Sequence, residues 1–144
     1  MKPVSELLRK RTDETLYHVS PDMTVFEMLN ALAQRGVGAM MVMEGGKLVG
    51  VVSERDYTRK IALQGKSSRE TKVREIMTAN VLVVSPQTRT RECMALMSER
   101  KIRHLPVVED GTIHGMISIR DLMNDIIEDH EFTISQLENY IKGG

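Results

Sequence analysis

The sequence is poor in the residues that build several common kinds of functional site. It has one cysteine, Cys93, no tryptophan and only 3% aromatic residues. A single cysteine excludes an internal disulfide and a cysteine-rich zinc site. The net charge is zero, from 20 basic and 20 acidic residues. Because nucleic-acid binders need a positive field or aromatic stacking surfaces, these absences count against a nucleic-acid partner.

We also expect no segment that directs this protein to a membrane or out of the cell. Its apolar runs are far shorter than the roughly 20 residues of a transmembrane helix. The first residues include Glu6 and lack the apolar stretch of a signal peptide. The four histidines (His18, His104, His114 and His130) do not have the paired spacing of a metal site. We therefore expect a cytoplasmic protein with no membrane partner and no bound metal.

The dominant feature of the sequence is an internal repeat. The segment GVVSERD, from Gly50 to Asp56, returns as GMISIRD from Gly115 to Asp121, a shift of 65 residues. The same shift carries Val19-Ser20-Pro21 onto Val84-Ser85-Pro86, and it needs no gap between Val19 and Ile126. A repeat this regular indicates one structural unit that is used twice.

Each copy predicts the element order β-α-β-β-α. In the first copy an extended stretch ends at a Ser-Pro pair, and apolar residues from Val25 to Ala33 then recur with the period of an amphipathic helix. Thr24 and Glu27 form a capping-box pattern at its start. Two apolar runs joined by a glycine-containing turn predict a hairpin. A second helix follows each hairpin, to about Leu63 in the first copy and about Glu128 in the second.

The segments outside the repeats predict further helices. Val4 to Arg11 forms an N-terminal helix, and a polar linker enters a short helix that ends at Ile76. Ile134 to Ile141 forms a C-terminal helix that is capped by Thr133. The predicted fold class is therefore α+β (α/β), with flanking helices at both ends. The predicted boundaries are residues 9–66 for the first repeat, 67–79 for the linker, 80–130 for the second repeat and 131–144 for the C-terminal helix.

Two motifs resemble a known family. The segment IRHLPVV at 102–108 and the paired Gly-x-x-Ser-x-Arg-Asp segments are similar to the CBS motif, and Ile76-Met77-Thr78 before the second copy is typical of it. Two such motifs in tandem resemble a Bateman module, which binds adenine nucleotides. The resemblance runs from about Leu16 to Asp129 and is to free-standing CBS-pair proteins of bacteria and organelles. It implies two repeats packed with pseudo-two-fold symmetry.

The repeated Ser-x-Arg-Asp segment has the chemistry that a nucleotide needs. The N-terminus of a helix favours an anion, and arginine presents paired donors to phosphate oxygens. An aspartate carboxylate accepts hydrogen bonds from both ribose hydroxyls. The alternative is purely structural, because serine is a common N-cap and aspartate favours a first helical turn. The residues concerned are Ser53, Arg55 and Asp56 in the first copy and Ser118, Arg120 and Asp121 in the second.

The resemblance implies that each nucleotide cleft is composite, with the base slot from one copy and the Ser-Asp pair from the other. Of the two clefts, the one whose slot contains Gly38 and Ala39 is favoured, because glycine lets a base approach the backbone closely. For His18 and His104 a structural role is the alternative. The favoured cleft is predicted to contain His18, Val37, Gly38, Ala39, Arg103, His104, Ser118, Arg120 and Asp121. The second cleft is predicted to contain Ser53, Arg55, Asp56, Val83 and Ile102.

The predicted function is a non-catalytic sensor that binds AMP, or alternatively ATP, NAD or NADH, and signals to an unknown protein target. No nucleophile–base pair, Walker loop or dinucleotide fingerprint is visible, so we expect neither an enzyme nor a catalytic cofactor. The alternative is a ligand-free scaffold or dimerisation module. A homodimer is expected. The C-terminal helix has Ile134, Leu137 and Ile141 on one face, which would cover the core or form the dimer seam.

Overall fold

The computed structural model describes residues 2–9 and 18–143. The chain divides into two compact units. One is formed by Glu14–Val83 with Asp110–Ile113, and the other by Met1–Asp13, Val84–Glu109 and His114–Gly144. Helices and strands occur together in both, which confirms the predicted α+β class. In chain order the elements are α1 Val4–Arg9, β1 His18–Val19, α2 Val25–Arg35, β2 Ala39–Glu44, β3 Lys47–Ser53, α3 Glu54–Tyr57, a π-helical turn Thr58–Ala62, α4 Val73–Ile76, α5 Thr90–Arg100, β4 His104–Glu109, β5 Thr112–Ser118 and α6 Ile119–Gly143.

The first unit contains a three-stranded sheet in the order β1-β2-β3. β1 is parallel to β2, with Val19 opposite Val42, and β2 is antiparallel to β3, with Met41 opposite Val51. The predicted start of the first extended stretch at Leu16 lies outside the described residues. The sheet and α2 enclose one apolar core, so the first repeat has the predicted order of elements. The fully or nearly fully buried residues of this core are Val19, Val25, Met28, Leu32, Met40, Val42, Val52, Ile61, Val73 and Ile76.

The sequence determines both ends of α2. The Thr24 hydroxyl accepts the Glu27 N–H at 3.1 Å, and the Glu27 carboxylate accepts the Thr24 N–H at 3.3 Å. The predicted capping box is therefore confirmed. Gly36 ends the helix with φ 65°, a left-handed conformation that glycine adopts without a steric penalty. These ends place Val37 and Gly38 between α2 and β2, which begins at Ala39.

The chain that follows α4 passes closely over β3. Val51 and Thr78 exchange two backbone hydrogen bonds, of 3.0 and 2.9 Å. A Cβ atom on Gly50 would lie 2.7 Å from Met77 Sδ and 2.9 Å from the Thr78 carbonyl oxygen. Glycine is therefore needed at position 50, because a second stretch of backbone approaches it too closely for a side chain.

The second unit has the same plan with a less regular first strand. β4 and β5 form the predicted hairpin as a two-stranded sheet. The expected first strand of this copy is reduced to a single parallel bridge between Val84 and Val107. These two residues lie 65 positions after Val19 and Val42, which pair in the first sheet. The pairing register is therefore conserved between the copies even where the strand is not.

α5 differs from α2 at both ends. It begins after Arg89 without a side-chain cap and ends at Lys101, which takes the left-handed conformation of Gly36 with φ 56°. The buried face includes Cys93, which lies 65 residues after Met28. Burial raises the pKa of the Cys93 thiol to about 11. The thiol is therefore protonated at neutral pH and is a poor nucleophile.

The N-terminal segment completes the second unit in the way that the linker completes the first. Val4 donates its N–H to the Thr88 carbonyl at 2.9 Å, just as Val73 donates to the Met23 carbonyl at 2.9 Å. Thr88 lies 65 residues after Met23, and both valines are fully buried. α1 is therefore the counterpart of α4. Its predicted end at Arg11 lies outside the described residues.

The C-terminal helix is continuous, which corrects the prediction of two helices. α6 runs from Ile119 to Gly143, where the sequence suggested an end near Glu128 and a new start capped by Thr133. Thr133 instead lies within the helix and donates its hydroxyl to the Asp129 carbonyl at 3.0 Å, as threonine does inside helices. No glycine or proline stands between Glu128 and Thr133, so the backbone has no reason to stop there.

The outer half of α6 does not cover the core. The side chains from His130 to Ile141 are all exposed, including Ile134 and Leu137. The predicted role of this segment as a cover for the core of its own chain is therefore wrong. The predicted dimer seam is the alternative that remains.

Two kinds of feature are absent from the described ranges, 2–9 and 18–143. No helix in them combines the length and the apolar character that crossing a membrane requires. No group of three or more His, Cys, Asp or Glu side chains there is arranged to hold a metal ion.

Candidate functional site

Each hairpin ends in a serine that begins the next helix. The Ser53 N–H and hydroxyl donate to Asp56 Oδ2 at 2.9 and 3.1 Å, and the Asp56 N–H donates back to Ser53 Oγ at 3.2 Å. Ser118 and Asp121 make the same three bonds, at 2.8, 2.9 and 3.1 Å. Both pairs are therefore capping boxes, as the structural interpretation predicted. Each box uses Oδ2 of its carboxylate.

The other oxygen of Asp56 faces a lysine. Lys60 Nζ lies 3.4 Å from Asp56 Oδ1 and donates to the Ile76 carbonyl at 2.7 Å. The pair has the i,i+4 spacing that brings side chains together on a helix. Under the 65-residue shift, the position of Lys60 corresponds to Asp125. The second repeat therefore has a carboxylate where the first repeat has a cation.

Asp125 has a different partner. Its side chain is fully buried and lies 2.8 Å from Lys2 Nζ, which is also 3.6 Å from Asp129 Oδ1. This ion pair fixes the N-terminal segment to α6. We did not predict the ion pairs of Lys60 and Lys2 from the sequence. A comparison of the residues four positions after Asp56 and Asp121, which are Lys60 and Asp125, would have indicated that the two copies differ here.

The predicted slot segment of each copy lies beside the capping box of its own copy. The Glu54 N–H donates to the Gly38 carbonyl at 3.0 Å, and the Ile119 N–H donates to the Arg103 carbonyl at 2.8 Å. These bonds satisfy the first amide of α3 and of α6, which has no partner within its helix. The predicted pairing of slot and capping box across the two copies stays a prediction.

The surrounding structure does not require glycine at position 38. A Cβ atom at this position would meet no heavy atom of the described residues within 4 Å, and its φ is not left-handed. Gly36, two residues earlier, is left-handed and ends α2. Gly38 is half-buried and Ala39 is buried. The lack of a side chain at position 38 therefore leaves open space just before β2.

Basic side chains gather near the N-terminus of α6. Arg103 and Arg120 are exposed, and His104 is half-buried at the start of β4. The positions 65 residues earlier are Gly38, Arg55 and Ala39, so only one of them is basic. Positive side chains beside a helix N-terminus favour an anion such as a phosphate. The second repeat therefore has the more favourable local charge for a phosphate group.

Burial lowers the pKa of His104. The Asp121 carboxylate acts in the opposite direction, and Arg103 lowers the pKa further. The imidazole is therefore neutral at neutral pH, with one nitrogen that donates and one that accepts a hydrogen bond. An incoming phosphate would raise this pKa again, because a negative charge favours the imidazolium form.

We expect His104 to make the fold less stable in acid. Its folded pKa lies below the ordinary value of about 6.5, so the unfolded chain binds more protons as the pH falls through that value. Urea unfolding at about pH 8 and about pH 5.5 should show a smaller loss of stability for His104→Gln than for the wild type. The control variant is His114→Gln, which replaces an exposed histidine of the same unit with the same residue. An undiminished loss in His104→Gln would contradict this assignment.

The remaining predicted residues occupy less enclosed positions. His18, Arg55 and Val83 are exposed. Val37 and Ile102 are half-buried, and each follows the left-handed residue that ends the preceding helix. Val37 and Ile102 therefore lie at equivalent places in the two copies.

Known proteins share this arrangement. The model of the CBS domain family matches residues 4–63 and 73–128. The CBS domain-containing protein CBSX3, mitochondrial, of Arabidopsis thaliana is 38% identical over 140 residues, which are 94% of this chain and 68% of that protein. The structure of a protein with CBS domains from Burkholderia ambifaria MC40-6 is 44% identical, with a TM-score of 0.86, over 89% of this chain and 96% of that one.

A more distant structure has a bound ligand. The CBS domain pair of protein MJ0100 was solved in complex with 5′-methylthioadenosine and S-adenosyl-L-methionine. It is 21% identical, with a TM-score of 0.78, over 90% of this chain and 98% of that one. At this identity the likeness concerns the fold alone. The two matches to the family model and the two relatives above 30% identity show that this chain belongs to the CBS-domain family and contains the domain twice.

Proposed function

We propose that this protein is a non-catalytic regulatory module that binds an adenine nucleotide. AMP is the first candidate, and ATP, NAD and NADH are the alternatives. The observation that supports this most is the group at the start of α6, where the Ser118–Asp121 capping box stands beside Arg103 and His104. A phosphate would be bound by the helix N-terminus and the cations. The ribose hydroxyls would be bound by the Asp121 carboxylate.

The first repeat is the weaker candidate for the ribose contact. The positions of the first repeat that correspond to Arg103 and His104 are Gly38 and Ala39, so the first repeat does not have these two basic side chains for the adjoining phosphate. We therefore propose Asp121 rather than Asp56 as the ribose ligand. Ser53, Arg55, Asp56, Val83 and Ile102 remain the proposed residues of a second, weaker site.

For the adenine base we propose the slot residues Val37, Gly38 and Ala39, with His18 at its edge. The family resemblance assigns them to the same cleft as Asp121. The open space at Gly38 supports this role, because the fold itself does not need glycine there. Gly38→Val would then block the base and reduce binding while the protein stays folded.

The ligands of MJ0100 help to define the choice of nucleotide. Both contain adenosine, which is also the part shared by AMP, ATP, NAD and NADH. 5′-Methylthioadenosine has no phosphate, whereas the basic side chains near α6 favour a phosphate group. We therefore rank AMP above the two ligands of MJ0100 for this chain.

We also propose an assembled, signalling protein rather than an isolated binder. Binding would alter the surface that a protein target recognises, and the chain would act as a homodimer in the cytoplasm. The alternative function is a scaffold or dimerisation module without a ligand. The sensor and the scaffold differ in one measurable property, because only the sensor is stabilised by a nucleotide.

Thermal unfolding of the full chain tests the proposal. AMP, ADP, ATP, NAD, NADH, S-adenosyl-L-methionine and 5′-methylthioadenosine are added one at a time. A ligand at about 100 times its dissociation constant stabilises the folded state by about 2.7 kcal/mol. For a chain of this size the midpoint should rise by roughly 5–10 °C.

The outcomes separate the candidate functions. A rise with AMP, absent in Gly38→Val, supports the proposed site. No rise with any of the seven compounds would exclude the sensor and favour the scaffold. Chromatography of the nucleotides after incubation provides the last control, because steady conversion of any of them would show that the protein is an enzyme.

A further inference from the structure

The outer half of α6 extends beyond the body of its own unit. Leu122 and Asp125, near the start of the helix, are buried, but every side chain from His130 to Ile141 is exposed. A free helix of this length is marginally stable in water, because its hydrogen bonds barely offset the lost chain entropy. A continuous helix that leaves its own core therefore calls for a partner that packs against it.

Five of the exposed apolar residues of α6 lie in one stripe, and Phe132 and Tyr140 lie outside it. Together with His130 the residues of the stripe are spaced alternately four and three positions apart, which is the spacing of the a and d positions of a coiled coil. Met123, Ile127, Ile134, Leu137 and Ile141 are exposed by 53, 52, 55, 58 and 80%. We call this stripe the α6 seam, and its members are Met123, Ile127, His130, Ile134, Leu137 and Ile141.

The residue types of the α6 seam point to a particular partner. Isoleucine occupies the three a positions, Ile127, Ile134 and Ile141, and Leu137 occupies a d position. β-Branched residues at a, with leucine at d, favour two parallel strands over three or four. We propose that the α6 seam binds the α6 seam of a second copy of this chain as a parallel, two-stranded coiled coil.

The charges beside the seam determine its direction. Glu131 and Glu138 occupy the e positions. In an antiparallel pair, the e positions of the two helices face each other, so Glu131 would stand against Glu138 of the second copy and repel it. In a parallel pair each e position faces a g position, and the g positions Ile126, Thr133 and Tyr140 carry no charge. The parallel arrangement therefore avoids the repulsion.

His130 fixes the register of the pair. It is the polar member of the α6 seam, at a d position between two apolar layers. In the parallel, in-register dimer it meets His130 of the second copy, and the two imidazoles can share a hydrogen bond. A slip of one heptad would place one imidazole against Leu137 and the other against Met123, and would leave both without that partner. A single polar layer specifies register in coiled coils in this way.

Sedimentation of the full chain tests the seam. The wild type should be a dimer, and Leu137→Asp should raise the dimer dissociation constant by about 100-fold or more, because it buries a charge in the seam. Phe132→Asp is the matched control. Phe132 is 66% exposed on the same stretch of helix but lies on the opposite side, so its substitution should leave the dimer intact.

A second measurement tests the parallel direction and needs no disruptive change. Under oxidation, Ile141→Cys should form a disulfide between two copies, because position 141 meets itself in a parallel pair. In an antiparallel pair the two positions would be about 16 Å apart along the axis, too far for a disulfide. The wild type, whose Cys93 is buried, is the control that should not form this link.

Each result decides for or against the proposal. A wild type that is monomeric, or that forms larger assemblies, would overturn it, as would a dimer that survives Leu137→Asp. A dimer without the Ile141→Cys link would exclude the parallel arrangement. The inference is independent of the proposed nucleotide site, since neither measurement includes a ligand.

Discussion

Asp121→Asn should weaken nucleotide binding by about 10- to 100-fold, whereas Asp56→Asn should change the affinity by less than about threefold. A charged carboxylate that accepts from both ribose hydroxyls makes strong hydrogen bonds, and the amide can accept only through one oxygen. Asp56 belongs to the repeat in which Gly38 and Ala39 replace Arg103 and His104, so we expect it to contribute less to binding. Titration calorimetry with the nucleotide that gives the largest thermal shift measures both affinities.

The two aspartates are well matched as a test and its control. Both complete a capping box with bonds between 2.8 and 3.2 Å. Each substitution should therefore lower the free energy of unfolding by a similar amount, about 1 kcal/mol, because each weakens the same cap. A greater loss of affinity at Asp56 than at Asp121 would show that the first repeat provides the ribose ligand. An equal loss of affinity in the two variants would indicate that both substitutions act only through the stability of the fold.

Gly50→Ala should destabilise the fold by about 1–3 kcal/mol, whereas Gly38→Ala should leave the stability unchanged or raise it by up to about 1 kcal/mol. A Cβ at position 50 would lie 2.9 Å from the Thr78 carbonyl, so the backbone bonds between Val51 and Thr78 would have to shift. The gain of up to about 1 kcal/mol from a less flexible unfolded chain does not offset this strain.

Urea unfolding of the two glycine variants measures the difference directly. Both substitutions add the same methyl group, so their intrinsic effects on the unfolded chain cancel in the comparison. Equal stabilities would mean that Met77 and Thr78 move away at no cost. In that case the close passage of the chain over β3 would not restrict position 50.

The internal repeat made most of the fold predictable. The 65-residue shift places equivalent residues at equivalent positions, including Gly36 and Lys101 at the ends of α2 and α5. The capping box of Thr24 and Glu27 was predictable because its bonds are local in sequence. The same holds for the Ser53–Asp56 and Ser118–Asp121 pairs, which lie three residues apart.

The features that the sequence did not reveal depend on distant or competing contacts. The ion pair of Lys2 with Asp125 joins residues far apart in the chain, so no local pattern indicates it. Thr133 has the appearance of a cap, but its hydroxyl is equally satisfied by the Asp129 carbonyl inside a helix. In the second copy the first strand is reduced to the single bridge between Val84 and Val107, although the chain there has the same Val-Ser-Pro sequence as the first copy.

The continuity of α6 has a mechanical consequence. Asp121 lies in the first turn of the helix and Ile141 near its end, so one continuous helix spans the roughly 30 Å between the proposed ribose contact and the far end of the α6 seam. Such a rod acts as a lever arm. A tilt of only about 5° at the capping box displaces the other end by about 3 Å, which is half the distance between neighbouring turns. Nucleotide binding at the proposed Asp121 contact would in this way produce a movement large enough for another protein to detect.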